Sequence, residues 1–378
     1  MNRIFIIVNV DWFFLSHFLP IALFSQKLGW QVTIVTCNTG RKKEIESYGL
    51  RFIELPFKRS GTNIWHEIKC VCLLIKLLKK ERPDIIHNIT LKAALLSSIV
   101  AKISGKKQIV NAVTGFGYNF TDNRNGLKVK VVKQMMLLAF KSKHFHFIFE
   151  NPDDIQQFSE WRFSLTENIH LIKGAGVDLQ KFAFEEEVVK EKIRLLLPAR
   201  MLKDKGVFEF IEAAKMIKER VAEKAEFILA GDCDTINLAG ISEDELKEVI
   251  DVPYINWVGF QKDMVNVLKN SDIVVLPSYR EGLPKSLIEA CAVGRPIITT
   301  DTQGCRECVI EGHNGYLVPV KDTEILSQRM ETLITDPEKR KEMGKNSRLL
   351  AEREFSIDKV VNAHLAIYDT LLQRLPHK

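Results

Sequence analysis

The stretch Pro277-Ser278-Tyr279-Arg280-Glu281-Gly282-Leu283-Pro284-Lys285-Ser286-Leu287-Ile288-Glu289-Ala290 decides the fold. Just before it, Asp272-Ile273-Val274-Val275-Leu276 carries the short apolar run of a parallel strand covered on both faces. Behind it, Leu287, Ile288, Ala290 and Cys291 begin a helical spacing that stops at Gly294-Arg295-Pro296, a Gly-then-Pro terminator. The segment predicts strand, tight loop and helix, with Pro284 at the helix start, where its missing N–H costs nothing. Such a loop aims backbone N–H groups and the positive end of a helix dipole at whatever lies above the strand, and an anion suits it. Glu281 precedes the helix and Glu289 lies one turn inside it, with seven residues between them. A phosphate on the N–H groups would have a carboxylate on either side, each able to accept hydrogen bonds from hydroxyls. Phosphate flanked by hydroxyls describes a nucleotide sugar.

The same alternation extends in both directions. Upstream, Arg194 to Pro198, Glu226 to Ala230 and Tyr254 to Val258 read as strands, and Pro296 to Thr300 follows downstream, with helices at 206–220, 242–250, 261–270, 285–293 and 322–335. Residues 338–375 carry no strand pattern and read as two helices. The first half repeats the plan, with strands at Arg3 to Asn9, Val32 to Cys37, Leu50 to Leu55, Asp84 to Asn88, Gln108 to Val113, Phe145 to Glu150 and Ile169 to Ile172. Helices are expected at Phe18 to Leu28, 63–80, 93–103 and 127–141, and Asn9 to Ser16 reads as a loop. The acidic run Glu185-Glu186-Glu187 falls in an expected linker, 181–193. The fold class is α/β, two successive Rossmann-like doubly wound domains, placed at 1–182 and 183–355 with a terminal helix at 356–378.

A chain of 378 residues is long enough for two domains, each with its own core. No apolar run reaches the roughly 18 residues of a membrane span, and Ile4 to Val8 is too short for the core of a signal peptide. The expected location is cytoplasmic. Seven scattered cysteines fit reduced thiols, and Cys305-x-x-Cys308 lacks the second pair or the histidines that zinc requires. The net charge of +6 hides an asymmetry: residues 1–180 hold 25 Lys and Arg against 14 Asp and Glu, the remainder 29 against 34. A basic first half suits a polyanion or an anionic membrane surface. The segments 63–80 and 127–141 carry Lys69, Lys76, Lys79, Lys80, Lys128, Lys130, Lys133 and Lys141 among aliphatic bulk, a membrane-surface pattern whose plain alternative is a helix with its apolar side in the core. No aromatic-and-basic strand pattern accompanies the charge, which argues against nucleic acid.

Arg200 follows the first strand of the second half and Lys205 comes five residues later. A basic pair on the loop at a strand's carboxyl end points into the crevice where open α/β sheets bind ligands. The guanidinium fork and the compact ammonium, with the helix end at Lys285 to Leu287, could hold a diphosphate without a divalent ion. Fixed cations of this kind stabilise a departing diphosphate more than the ground state. Asp232-Cys233-Asp234 competes as an Asp-x-Asp metal motif, although the cationic pair already serves that role. Paired carboxylates would also fit a glycoside hydrolase, whose chemistry has no use for a phosphate clamp.

Glu281-Gly-Leu-Pro-Lys-Ser-Leu-Ile-Glu289 resembles the Glu-x7-Glu motif of the retaining family 4 glycosyltransferases, and Gly174-Ala175-Gly176-Val177-Asp178 resembles the turn that closes their first domain. The resemblance spans nearly the whole chain, closely over 194–320 and loosely over 1–150. It implies the GT-B fold, with two domains facing across a cleft and the last helix crossing back to the first. It implies that Arg200 and Lys205 bind the donor pyrophosphate, that Gly282, Leu283, Pro284, Lys285, Ser286 and Leu287 form the phosphate loop, and that Glu289 holds the ribose. Glu281 would sit by the transferred sugar and Phe260, after Gly259, near the base. On the acceptor side, Thr114 stands where many relatives carry a loop histidine, followed by Gly115; His17 and His87 are the histidines at crevice positions. Similarity in Trp12-Phe13-Phe14, Thr114-Gly-Phe-Gly and Ser278-Tyr-Arg-Glu-Gly points to the capsule and O-antigen branch. That branch implies transfer of a hexosamine or hexose from a UDP-sugar to a polyprenyl-diphosphate-linked saccharide at the inner face of the plasma membrane, with no cofactor or metal. The alternatives are a nucleotide-sugar epimerase of the same fold and a non-catalytic sugar-nucleotide-binding subunit.

Overall fold

Apolar runs bounded by Asn, Gly and Pro become parallel strands in two separate sheets. The structure, a computed structural model, describes residues 1–57, 64–106, 108–115, 127–161, 166–188, 190–221, 223–235, 237–250 and 252–373, with the side chains of 64 and 127–130 left out. The expected loop around Phe116, Gly117 and Tyr118 and the side chains of Lys128 and Lys130 therefore lie outside the described residues. Two compact units result: Met1–Ala175 with Asp358–Lys378, and Gly176–Ile357. The sequence pattern alone sets these divisions at 182/183 and 355/356. The difference arises because Val177 pairs with Ser356, so both passages of the chain join the second unit.

The amino-terminal unit holds β1 (Arg3–Val8), β2 (Gln31–Thr36), β3 (Arg51–Glu54), β4 (Ile85–Ile89), β5 (Ile109–Val113), β6 (Phe145–Phe149) and β7 (Ile169–Leu171) in the order β3-β2-β1-β4-β5-β6-β7. Both sheet faces are covered, as the unbroken burial of β4, β5 and β6 requires. The terminal helix Ile357–Gln373 belongs to this unit: the Tyr368 hydroxyl hydrogen-bonds His87 Nδ1 at 2.6 Å, and the Tyr368 ring lies 5.7 Å from that of Trp30.

The carboxy-terminal unit holds β8 (Ile193–Pro198), β9 (Ala225–Ala230), β10 (Ile255–Trp257), β11 (Ile273–Leu276), β12 (Ile297–Thr300) and β13 (Gly315–Val318) in the order β10-β9-β8-β11-β12-β13. The order reverses between β8 and β11, as it does between β1 and β4 in the other unit. These are the topological switch points at which open α/β sheets bind ligands.

Three readings of the sequence are corrected. Asn9 to Ser16 is mostly not loop, because Asp11–His17 is a helix. Asp11, fully buried at its start, accepts the N–H groups of Trp12 (2.8 Å), Thr39 (2.7 Å) and Arg41 (3.2 Å), which fixes this turn against the segment after β2. The acidic run does not link the two units but lies within the second, where Glu185 pairs with Lys269, Glu186 with Lys345 and Glu187 with the buried Arg340. Finally, β13 escaped the pattern, being four residues long and opening on Gly315. Among the described residues no helix is long and apolar enough to cross a membrane.

Candidate functional site

Loops at the switch point of the carboxy-terminal sheet bring the predicted cations and acids together. After β8 the chain makes a single turn, Lys203–Lys205, and enters the helix Val207–Met216 through Gly206. Gly206 has φ +73°, and a Cβ there would lie 2.2 Å from the Pro277 carbonyl oxygen, so the loops after β8 and β11 meet at backbone distance. Asp204 O accepts the Tyr279 N–H at 2.9 Å and the Ser278 hydroxyl at 3.1 Å across the same seam. On the other side of the β11 loop Gly304 has φ +75°, and a Cβ there would lie 2.1 Å from Gly282 O. The loop carrying Glu281 and Gly282 is clamped between two glycines that must stay glycines.

Lys205 Nζ forms an ion pair with Glu281 Oε1, both side chains being less than one-fifth exposed. Arg200 Nη1 forms a second ion pair, with Asp234 Oδ2 on the segment after β9. Asp234 is thus the carboxylate against which the Arg200 guanidinium rests. The helix Lys285–Val293 starts at Pro284, and among the described residues no side chain caps it. Its first-turn amides, like those of any helix start, lack intrahelical acceptors. Lys285 and Glu289, one turn apart on it, pair at 3.3 Å. Burial pushes the Glu289 carboxyl above the usual carboxylate range, and the Lys285 ammonium opposes that shift. Leu283 and Leu287 are buried and fix the helix start against β11 and its neighbours, whereas Ser286 is half-buried.

Phe260 follows β10, two strands from β8 in the sheet order, and stands 62% exposed, so it is surface and not core. The segments after β8, β9 and β10 are laced by backbone: Met201 N donates to Asp232 O and Gly231 N to Gly259 O, each at 2.9 Å.

In the amino-terminal unit, His17 ends the Asp11–His17 helix, bonded to Ser16 and stacked on Phe13 at 4.2 Å. Thr114 and Gly115 leave β5 at its carboxyl end and are half-buried, with Gly115 at φ +119°. His87 lies elsewhere: it is completely buried between Phe18, His364 and Tyr368, and burial holds its imidazole well below the ordinary range. The structure puts it in the core, with no surface open to a ligand. Sequence reasoning passed over Asp234 as a partner for Arg200 and over His364, a lone histidine in a tail helix. The position of Asp234 after a strand adjoining β8 was the available signal.

The group 1 glycosyl transferases family model matches residues 179–350, and the glycosyl transferase 4-like model matches residues 3–151. The chain therefore belongs to the glycosyltransferases that join a 4-like amino-terminal domain to a group 1 carboxy-terminal domain. Two curated relatives are similar over most of their length. The N,N'-diacetylbacillosaminyl-diphospho-undecaprenol alpha-1,3-N-acetylgalactosaminyltransferase of Campylobacter jejuni is 29% identical over 91% of this chain and 92% of that protein. The UDP-Gal:alpha-D-GlcNAc-diphosphoundecaprenol alpha-1,3-galactosyltransferase of Escherichia coli is 26% identical, over 90% and 89%. Among solved structures, Anabaena HepE in complex with UDP and glucose superposes with a TM-score of 0.79 over 98% of this chain and all of that one, at 15% identity. The fold is GT-B.

Proposed function

We propose that the protein transfers a hexosamine or hexose, with retention, from a UDP-sugar to a polyprenyl-diphosphate-linked saccharide, without a divalent cation. The observation that carries this reading is the meeting of Arg200, Lys205 and the helix start at Lys285 with Glu281 and Glu289 at one switch point. Arg200, Lys205 and the Lys285 to Leu287 amides take the diphosphate. Glu289 accepts from the ribose hydroxyls, Glu281 serves the transferred sugar, and Phe260 lies by the base. His17, Thr114 and Gly115 are assigned to the acceptor; His87 is left out because it is buried. The leaving diphosphate takes the acceptor's proton as its own charge grows, and the fixed cations stabilise that growth. The relatives from C. jejuni and E. coli, named for transfer to diphospho-undecaprenol-linked sugars, support the acceptor class, and HepE with bound UDP supports the donor class.

A location at the inner face of the plasma membrane is part of the same reading. The helix Ile64–Glu81 exposes Trp65, Ile68 and Leu73 beside Lys69, Lys76, Lys79 and Lys80, and Leu127–Phe140 exposes Val131, Met135 and Leu138 beside Lys133. Exposed apolar bulk among lysines suits an anionic lipid surface, each cation near it adding about 1 kcal/mol. Co-sedimentation with vesicles of anionic lipid, and none with neutral vesicles, is the expected result; equal recovery from both would remove the lipid surface from the account.

Product analysis of purified protein with a panel of UDP-sugars and a short-chain prenyl-diphosphate N-acetylglucosamine tests the function. An extended saccharide with α linkage is expected. An epimerised nucleotide sugar without acceptor, or binding without turnover, would replace the proposal with the epimerase or the subunit reading.

A further inference from the structure

At the carboxyl ends of β5 and β6 the amino-terminal unit has an open recess of about 220 Å³, lined by Phe18, Val113, Thr114, Ile148, Glu150 and His364 among others. That volume is below the roughly 300 Å³ at which pockets for drug-sized ligands begin, so it holds part of a ligand, a ring and its substituents. Its lining joins apolar walls to a few polar groups, as a sugar ring with C–H faces and hydroxyl edges requires. His364 is only 2% exposed, and among the described residues no group bonds its Nε2.

The tautomer of His364 follows from its other nitrogen. Nδ1 lies 2.8 Å from the Val360 carbonyl oxygen, which can only accept, so Nδ1 carries the hydrogen and Nε2 presents a lone pair. Burial holds the imidazole neutral, pushed down to about 4. Phe18 edges the ring at 6.3 Å and His87 lies 5.5 Å away, so Nε2 is an acceptor in otherwise apolar company. A buried acceptor without a donor is costly, and an O–H or amide N–H satisfies it.

We propose that this recess is a subsite for one ring of the acceptor saccharide, with Nε2 of His364 accepting a hydroxyl or acetamido hydrogen. The inference rests on the function proposed above and adds to it an acceptor-binding residue on the terminal helix. It explains why that helix, remote in sequence, belongs to the amino-terminal unit.

The test uses the full chain with a short-chain prenyl-diphosphate N-acetylglucosamine as acceptor. His364→Leu is expected to raise the acceptor KM at least tenfold, with the donor KM and acceptor-independent UDP release within twofold of wild type. His364→Gln, which keeps an acceptor oxygen, is expected to recover most of the loss. An unchanged acceptor KM in folded His364→Leu, or equal rises in both KM values, overturns the subsite. In wild type, ¹⁵N NMR of the imidazoles during titration with the same acceptor must move His364 Nε2, and an unmoved signal at saturation also overturns it. Absence of any transfer by wild type would instead count against the function itself, while the titration would still decide the subsite.

Discussion

The ammonium of Lys205 and the carboxylate of Glu281 form an ion pair that ties the loop after β8 to the loop after β11 across the point where the sheet order reverses. Both groups are assigned to the donor, the lysine to its diphosphate and the acid to its sugar. The pair keeps each of them compensated before a donor arrives, since a half-buried charge without a partner is costly. Under the proposed function a diphosphate competes with Glu281 for the Lys205 ammonium, which has three N–H donors to share. Arg200 and Asp234 stand in the same relation one strand further along.

Lys205→Ala removes one charge-assisted contact, worth about 1.5–3 kcal/mol, and should weaken UDP-sugar binding roughly 10- to 150-fold. Uridine, which has no phosphate, should bind as in wild type. Calorimetric titration with both ligands checks this, and equal losses would refute the diphosphate role of Lys205.

Glu281→Gln keeps the shape of the side chain and removes its charge. Transfer should fall by about 10²- to 10³-fold, the usual loss when one preorganised electrostatic contact is taken away. UDP affinity should stay level or rise by up to about fivefold, because Lys205 is released from a competing pair worth at most about 1 kcal/mol. Near-wild-type turnover in this variant, measured by UDP release with donor and acceptor saturating, would dismiss Glu281 from the chemistry.

The neutral histidines of the amino-terminal unit make stability depend on pH. His364 is held at about 4 in the folded chain against 6.5 in the unfolded one, and burial lowers His87 in the same direction. Between those values the unfolded chain binds more protons, so stability is complete above about pH 6.5 and is lost as the pH falls toward 4. Urea unfolding should show a loss of roughly 2 kcal/mol from His364 alone between pH 7 and pH 5. His364→Gln should make that dependence shallower, and an unchanged dependence would contradict the assignment.

The parts of the site that could be read from residues alone are those set by position along one element. Arg200, Lys205 and Glu281 stand on loops that follow strands recognisable by their Ile, Val and Leu runs, with Glu289 one turn inside the helix that follows, and a strand's carboxyl end faces the ligand crevice in any doubly wound sheet. The two-domain α/β plan was legible for the same reason, and the glycosyltransferase family through the resemblance of Glu281 to Glu289 to the family's Glu-x7-Glu motif. What could not be read depends on which strand lies beside which. The pairing of Arg200 with Asp234 needs β9 next to β8, and that of Lys205 with Glu281 needs β11 on its other side. Asp11–His17 hid as a helix because its buried acid is satisfied by Thr39 and Arg41, nearly thirty residues away. His87 ends an apolar strand where ligands often sit, yet Tyr368 covers it from a helix 281 residues further along.

Turnover of a UDP-sugar in the presence of excess chelator tests most directly whether Arg200, Lys205 and the helix start at Lys285 do the work of a bound cation. The rate should stay within about twofold of the untreated enzyme, with no gain on adding Mn²⁺ or Mg²⁺, if these fixed charges supply the stabilisation. Loss of turnover under chelation, restored by either ion, would contradict the account at its centre.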